Sequence, residues 1–160
     1  MHRVSDAIEK RCRTPLIHIV DVTAAAVKRT GLERVGLLGT AFTMEQEFYL
    51  ERLSAHGLSV AVPDAMDRPE VHPIIYDELC RGIFADSSRI AYRDVIDRLV
   101  DRGCEGIILG CTEIELFLPM AEVAGIPLFP TTRLHVDAAI DVALESRPTP
   151  GLSVRDRCQG

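Results

Sequence analysis

The chain has no tryptophan and only 5% aromatic residues, so it offers few flat faces on which bases or sugars could stack. It also lacks a basic surplus. Its 18 Lys and Arg stand against 24 Asp and Glu, a formal net charge of −6, which is the wrong sign for a phosphate-backbone footprint. No nucleic-acid partner is expected. No apolar run approaches the roughly 20 residues of a membrane span, and the opening Met1-His2-Arg3-Val4-Ser5-Asp6 has no apolar signal core, so no membrane partner is expected either. The five cysteines are odd in number, irregularly spaced and without a C-x-x-C pair. That argues against a disulfide framework and against a metal site, and suits free thiols in a reducing cytoplasm. There is no G-x-G-x-x-G and no Walker A pattern, and no internal repeat at a period of about 20–50 residues.

What the 160 residues do contain is enough apolar content (47%) for one domain with a real core. Short apolar runs alternate with amphipathic stretches, which is the pattern of an α/β fold with a mainly parallel sheet flanked by helices. Residues 3–12 read as a helix. Leu16-Ile17-His18-Ile19-Val20 reads as a strand ending at Asp21, and residues 23–30 as a helix closed by Gly31. Val35-Gly36-Leu37-Leu38-Gly39-Thr40 is the next strand. Thr43, with Gln46 as box partner, reads as the N-cap of a helix over 44–56 that Gly57 ends. Residues 59–62 form a strand, followed by helices over 70–79 and 87–102. The second of these carries Ile90, Val95, Ile96, Leu99 and Val100 inward. Its Arg89, Arg93, Arg98 and Arg102 form a solvated face paired with the Asp residues between them. Pro127-Leu128-Phe129 is a last strand, Thr132 caps a helix to about Leu144, and the rest reads as a disordered tail.

The chain is organised around residues 106–116. Gly106-Ile107-Ile108-Leu109 is near-continuously apolar, as a strand covered on both faces must be. Gly110 lets the backbone turn. Cys111 stands at the turn, and residues 113–118 read as a short helix stopped by Pro119. The thiol thus lies at the carboxyl end of a strand and the amino end of a helix. Open α/β sheets keep their crevices at such strand ends, and free N–H groups there lower a thiol pKa. The plain alternative is that Cys111 is a small buried hydrophobe. Glu113 either raises the thiol pKa, as a modulator of its acid/base balance, or only complements the helix dipole. Thr40, Thr43 and Thr112 would cradle a carboxylate, or only cap helices. His18 and His135 read as core residues. Cys12, Cys80 and Cys104 read as structural, and Cys158 as a tail thiol.

At Gly110-Cys111-Thr112-Glu113-Ile114 the chain resembles the aspartate/glutamate racemase family of cofactor-independent amino-acid racemases. Leu16-Ile17-His18-Ile19-Val20-Asp21, Val35-Gly36-Leu37-Leu38-Gly39-Thr40 and Thr43-Met44-Glu45-Gln46-Glu47-Phe48-Tyr49 carry the likeness further, to about Leu144. Glu113 after Cys-Thr is similar to the aspartate or broad-specificity branch, where glutamate racemase proper has histidine. The resemblance implies a Rossmann-like domain plus a partial first domain, with the site between them, and a homodimer. It implies that Cys111 is one of two catalytic cysteines and that Thr40, Thr43 and Thr112 bind an amino-acid or other carboxylate substrate. One thiolate removes the α-proton and one thiol returns a proton to the other face; the scheme needs no metal or other cofactor. On this reading residues 1–32 are a remnant of the first domain and 33–130 the second domain. Residues 131–146 are a helix returning to the first domain, and 147–160 the tail.

Two departures stand out. The family places a strand ending in Cys-Thr-Asn-Thr just before a Met-His pair, and here Met1-His2 are that pair. The chain is therefore expected to begin after the first catalytic cysteine and to be inactive alone. Pro130-Thr131-Thr132 stands where the family has Asp before the threonines. Two alternatives remain at this level. One is a non-enzymatic remnant that binds a small carboxylate or a partner. The other is a related isomerase acting on hydantoins or maleate.

Overall fold

Strand β3 (Gly106–Leu109) is buried along its whole length, and β1 (Arg34–Leu38) along all but its first residue. In the computed structural model, which describes residues 4–12, 15–118 and 122–145, these two are the middle of a five-stranded sheet. Its order is β2-β1-β3-β5-β4, with β2 over Ser59–Ala61, β4 over Glu122–Val123 and β5 over Ile126–Pro130. β2, β1, β3 and β5 run parallel, and β4 is an antiparallel edge. Successive strand residues point to opposite faces, and each face has its own core. Leu38, Ile107 and Leu109 pack on one side with Tyr92, Val95, Ile96 and Leu99. Val35, Leu37 and Ile108 pack on the other with Val20, Ala24, Val27 and Leu53.

The helices are α1 (Ser5–Glu9), α2 (Ile19–Arg29), α3 (Ala41–Glu45), α4 (Glu47–Ala55), α5 (Arg68–Pro73), α6 (Asp86–Asp101), α7 (Thr112–Phe117) and α8 (Thr131–Glu145). α5 continues through a π-turn at Ile74–Glu78 and a 3₁₀ turn at Leu79–Arg81. α1 is held by Arg52 of α4, which forms a two-pronged pair with Asp21 of α2 at 2.6 and 2.7 Å and donates to Ser5 at 3.3 Å.

Several expectations need correction. Leu16 to Val20 is not a strand. The chain is irregular to His18, whose Nδ1 accepts the Val20 N–H, and α2 starts at Ile19. The reason is the buried set Val20, Thr23, Ala24 and Val27, whose i, i+3, i+4, i+7 spacing extends the helical period upstream through β-branched residues. Thr43 caps nothing. Thr40 is the N-cap of the short α3, and Gln46, in an extended conformation, separates α3 from α4. Ile90 is 61% exposed, because the inner face of α6 is set by Ser88, Tyr92, Val95, Ile96 and Leu99. Three of the four arginines reach other elements, and Arg89 also pairs along α6 with Asp86 at 3.7 Å. Arg89 donates to the Phe117 carbonyl and lies over its ring, while Arg98 and Arg102 pair with Asp67 and Asp64. Cys12 and Cys80 are exposed rather than structural, whereas Cys104 is buried. α8 begins at Thr131, so Thr132 lies inside its first turn. The start of the expected first helix, Pro119, the tail and Cys158 lie outside the described residues. No helix among the described residues is long and apolar enough to cross a membrane.

Candidate active site

The chain leaves β1 for β2 on one side and, after β2, returns to place β3 on the other side of β1. The connections diverge between β1 and β3, and open α/β sheets have their crevice at the carboxyl ends of strands that part in this way. Register pairs Leu38 with Leu109 and Leu109 with Pro130, so the segments after β1, β3 and β5 emerge side by side. They carry Gly39-Thr40, Gly110-Cys111-Thr112 and Thr131-Thr132.

These segments are packed together. The Gly110 N–H donates to the Leu38 carbonyl at 2.7 Å. A Cβ on Gly110 would sit 3.0 Å from that carbonyl and 3.2 Å from the Thr43 methyl, and one on Gly39 would sit 3.1 Å from the Thr43 Cβ. Neither glycine has a positive φ, so the turn after β3 needs glycine for room rather than for backbone conformation. The Thr40 and Thr43 hydroxyls lie 3.2 Å apart, and Thr40 also accepts the Thr43 N–H at 3.4 Å. The hydroxyls of Thr112 and Thr132 lie 3.1 Å apart. Thr131, buried, donates to the Leu109 carbonyl at 2.8 Å and so fixes the start of α8 against β3.

Cys111 is half-buried in an extended conformation as the residue before α7. Its thiol donates to Glu113 Oε2 at 2.9 Å. Burial and that carboxylate push its pKa up to about 12, while the backbone N–H groups of Glu113 and Ile114 pull the other way and lose. The expectation that the helix terminus depresses the thiol pKa is therefore overturned, and the resting form is a thiol hydrogen-bonded to a carboxylate. α7 is only six residues long, too short for its dipole to outweigh desolvation and a neighbouring negative charge.

Of the residues singled out in the sequence, Thr40, Thr43, Cys111, Thr112 and Glu113 gather at these strand ends. His18 and His135 do not. His18 is buried at the start of α2, and His135 Nε2 lies 2.8 Å from the Ile17 carbonyl. Sequence reasoning missed Thr132, read as a cap, and His72, whose Nδ1 accepts the Ala41 N–H at 3.1 Å. No local pattern marks His72, because its partner lies 31 residues away. Among the described residues no three His, Cys, Asp or Glu side chains gather as a metal site.

The family model for Asp/Glu/Hydantoin racemases matches residues 1–139. The fold is similar to a crystal structure of a candidate Asp/Glu racemase from Yersinia pestis, at 52% identity and a TM-score of 0.85, covering 90% of this chain and 63% of that one. It is also similar to an aspartate racemase homologue from Pyrococcus horikoshii OT3, at 32% identity and a TM-score of 0.82, covering 89% of this chain and 62% of that one. A glutamate racemase of Exiguobacterium sibiricum is 29% identical over 132 residues, which are 82% of this chain and 46% of that protein. The chain thus spans less than two thirds of each of these relatives. A sheet of four parallel strands whose connections part between β1 and β3 and a sequence match running from residue 1 to 139 agree with one another, and the chain belongs to the Asp/Glu/Hydantoin racemase family.

Proposed function

We propose that this chain supplies one acid/base face of an amino-acid racemase site, with Cys111 as the group that touches the α-proton. In the proposed step the thiol proton passes to Glu113. The thiolate then takes the α-proton: the substrate C–H bond breaks, an S–H bond forms, and the electron pair moves into the substrate carboxylate. Thr40, Thr43 and Thr112 hold that carboxylate and the amino end, since donors aimed at developing charge lower the barrier most. Inversion needs a second acid that returns a proton to the opposite face. No cofactor enters this scheme. Aspartate and glutamate are the substrates to test first, because the racemases similar to this chain carry those names. The compartment proposed for it is a reducing cytoplasm, which suits free thiols.

The observation that carries the reading is the 2.9 Å contact between Cys111 and Glu113 where the connections of β1 and β3 part. A second reading, binding without inversion, is favoured by one fact. Among the described residues no other cysteine follows a strand: Cys12 follows α1, Cys80 lies on a 3₁₀ turn and Cys104 precedes β3. On that ground the 160-residue chain assayed alone should exchange the α-hydrogen without inverting the centre. The test is incubation with L- and D-aspartate and glutamate in deuterated water, following chirality and α-deuteration together. α-Deuteration with retained chirality, lost in Cys111→Ala, is expected. Racemisation that survives Cys111→Ala would sink the assignment. Racemisation that requires Cys111 would show that a second acid is already present.

A further inference from the structure

We propose that His72 is a positioning residue for the substrate-binding turn, holding Thr40 and Thr43 in place through the backbone N–H of Ala41. The inference rests on the reading of that turn as a substrate cradle. The first N–H groups of a helix have no partner within it. In α3 the Thr43 N–H is shared between the Thr40 carbonyl at 2.9 Å and the Thr40 hydroxyl at 3.4 Å, and the N–H of Ala41 goes to His72 Nδ1 at 3.1 Å. That bond ties the turn after β1 to α5, an element from another part of the chain.

α5 is a firm post. Val71, next to His72, is fully buried, and Ile74 and Ile75 enter the core beneath the sheet. The Tyr92 hydroxyl donates to the Val71 carbonyl at 3.3 Å, and Arg68 donates to the Pro63 carbonyl at 2.8 Å. The His72 ring is braced by Tyr76, ring centre to ring centre 4.9 Å. The π-turn directly after Pro73 sets where the Tyr76 ring falls, and such turns recur at functional sites. A histidine that accepts a backbone N–H at Nδ1 carries its proton on Nε2. His72 therefore acts here as an acceptor, a role that a ring of the same shape without nitrogen cannot fill.

The test uses the full chain with two substitutions. His72→Phe keeps the ring contact with Tyr76 and removes the acceptor. His72→Asn keeps an acceptor near the Nδ1 position. Amide hydrogen exchange at Ala41 and titration with L- and D-aspartate and glutamate are read in parallel with the melting temperature. His72→Phe should speed Ala41 exchange and weaken amino-acid binding, each by about tenfold, with Cys111 alkylation unchanged. His72→Asn should recover most of both. Unchanged Ala41 exchange in His72→Phe overturns the inference. So does a His72→Asn chain that melts like wild type yet recovers neither readout. If the wild-type chain binds neither amino acid while Ala41 exchange responds as expected, the substrate reading fails and not the hold of this bond on the turn.

Discussion

Cys111 is held as the neutral thiol by Glu113, to which it donates at 2.9 Å. Burial and the carboxylate together raise its pKa to about 12, so it should alkylate slowly near neutral pH despite its place before a helix. Glu113→Gln removes the negative charge and leaves the burial. Iodoacetamide labelling of Cys111 at pH 8 should then rise by up to about tenfold, one decade of thiolate fraction, while α-deuteration falls. A Glu113→Gln chain that labels no faster would show that the carboxylate does not hold the thiol. Gly110 is as tightly constrained. A Cβ there meets the Leu38 carbonyl at 3.0 Å and a Leu37 methyl at 3.1 Å, and the carbonyl cannot move without breaking its own 2.7 Å bond. Gly110→Ala should cost about 1–3 kcal/mol, measured by urea unfolding, and displace the Thr43 methyl.

Among the elements, α1, α2 and α4 meet around Asp21. Its carboxyl is lowered from 3.8 to about 2, first by the Arg52 hydrogen bond, against an opposing push from burial. A depressed carboxyl stabilises the fold above its ordinary value and stops doing so as pH falls. The contribution is thus complete above about pH 4 and gone below about pH 2. Asp21 is about one-third exposed, and with solvent screening Asp21→Asn should cost about 1 kcal/mol at pH 7. The difference from wild type should vanish near pH 2, and a pH-independent difference would mean that packing, not charge, is lost. Elements of this size were unevenly legible in the sequence. β1, β3 and β5 could be read because strands buried on both faces leave unbroken apolar runs. The start of α2 could not, because Ile17, Ile19 and Val20 favour a strand locally and only the buried face shared with Thr23, Ala24 and Val27 makes them helical. The break at Gln46 was hidden for a similar reason, since Thr40 and Thr43 are equally good caps by type.

At the scale of the whole molecule, the site was legible through one cysteine and its strand, whereas its walls were not. Thr132 and His72 become neighbours of the site only through β-strand order and a tertiary contact, which no local spacing encodes. The same strand order has a kinetic consequence. Leu38 and Leu109 are paired across 71 positions of chain, the register that sets Thr40 beside Cys111. Such distant parallel pairings form late, because the closure of a long loop precedes any contact that rewards it. Cys111 should therefore stay open to a brief alkylation pulse during refolding until β1 and β3 join. Its protection should appear in one step with that of Cys104, two residues before the same strand. Protection of Cys111 well before Cys104 would mean that the crevice assembles ahead of the sheet. If the two coincide, the shielding of Cys111 is a clock for the joining of β1 and β3, and no form of this chain that lacks that pairing hides the thiol.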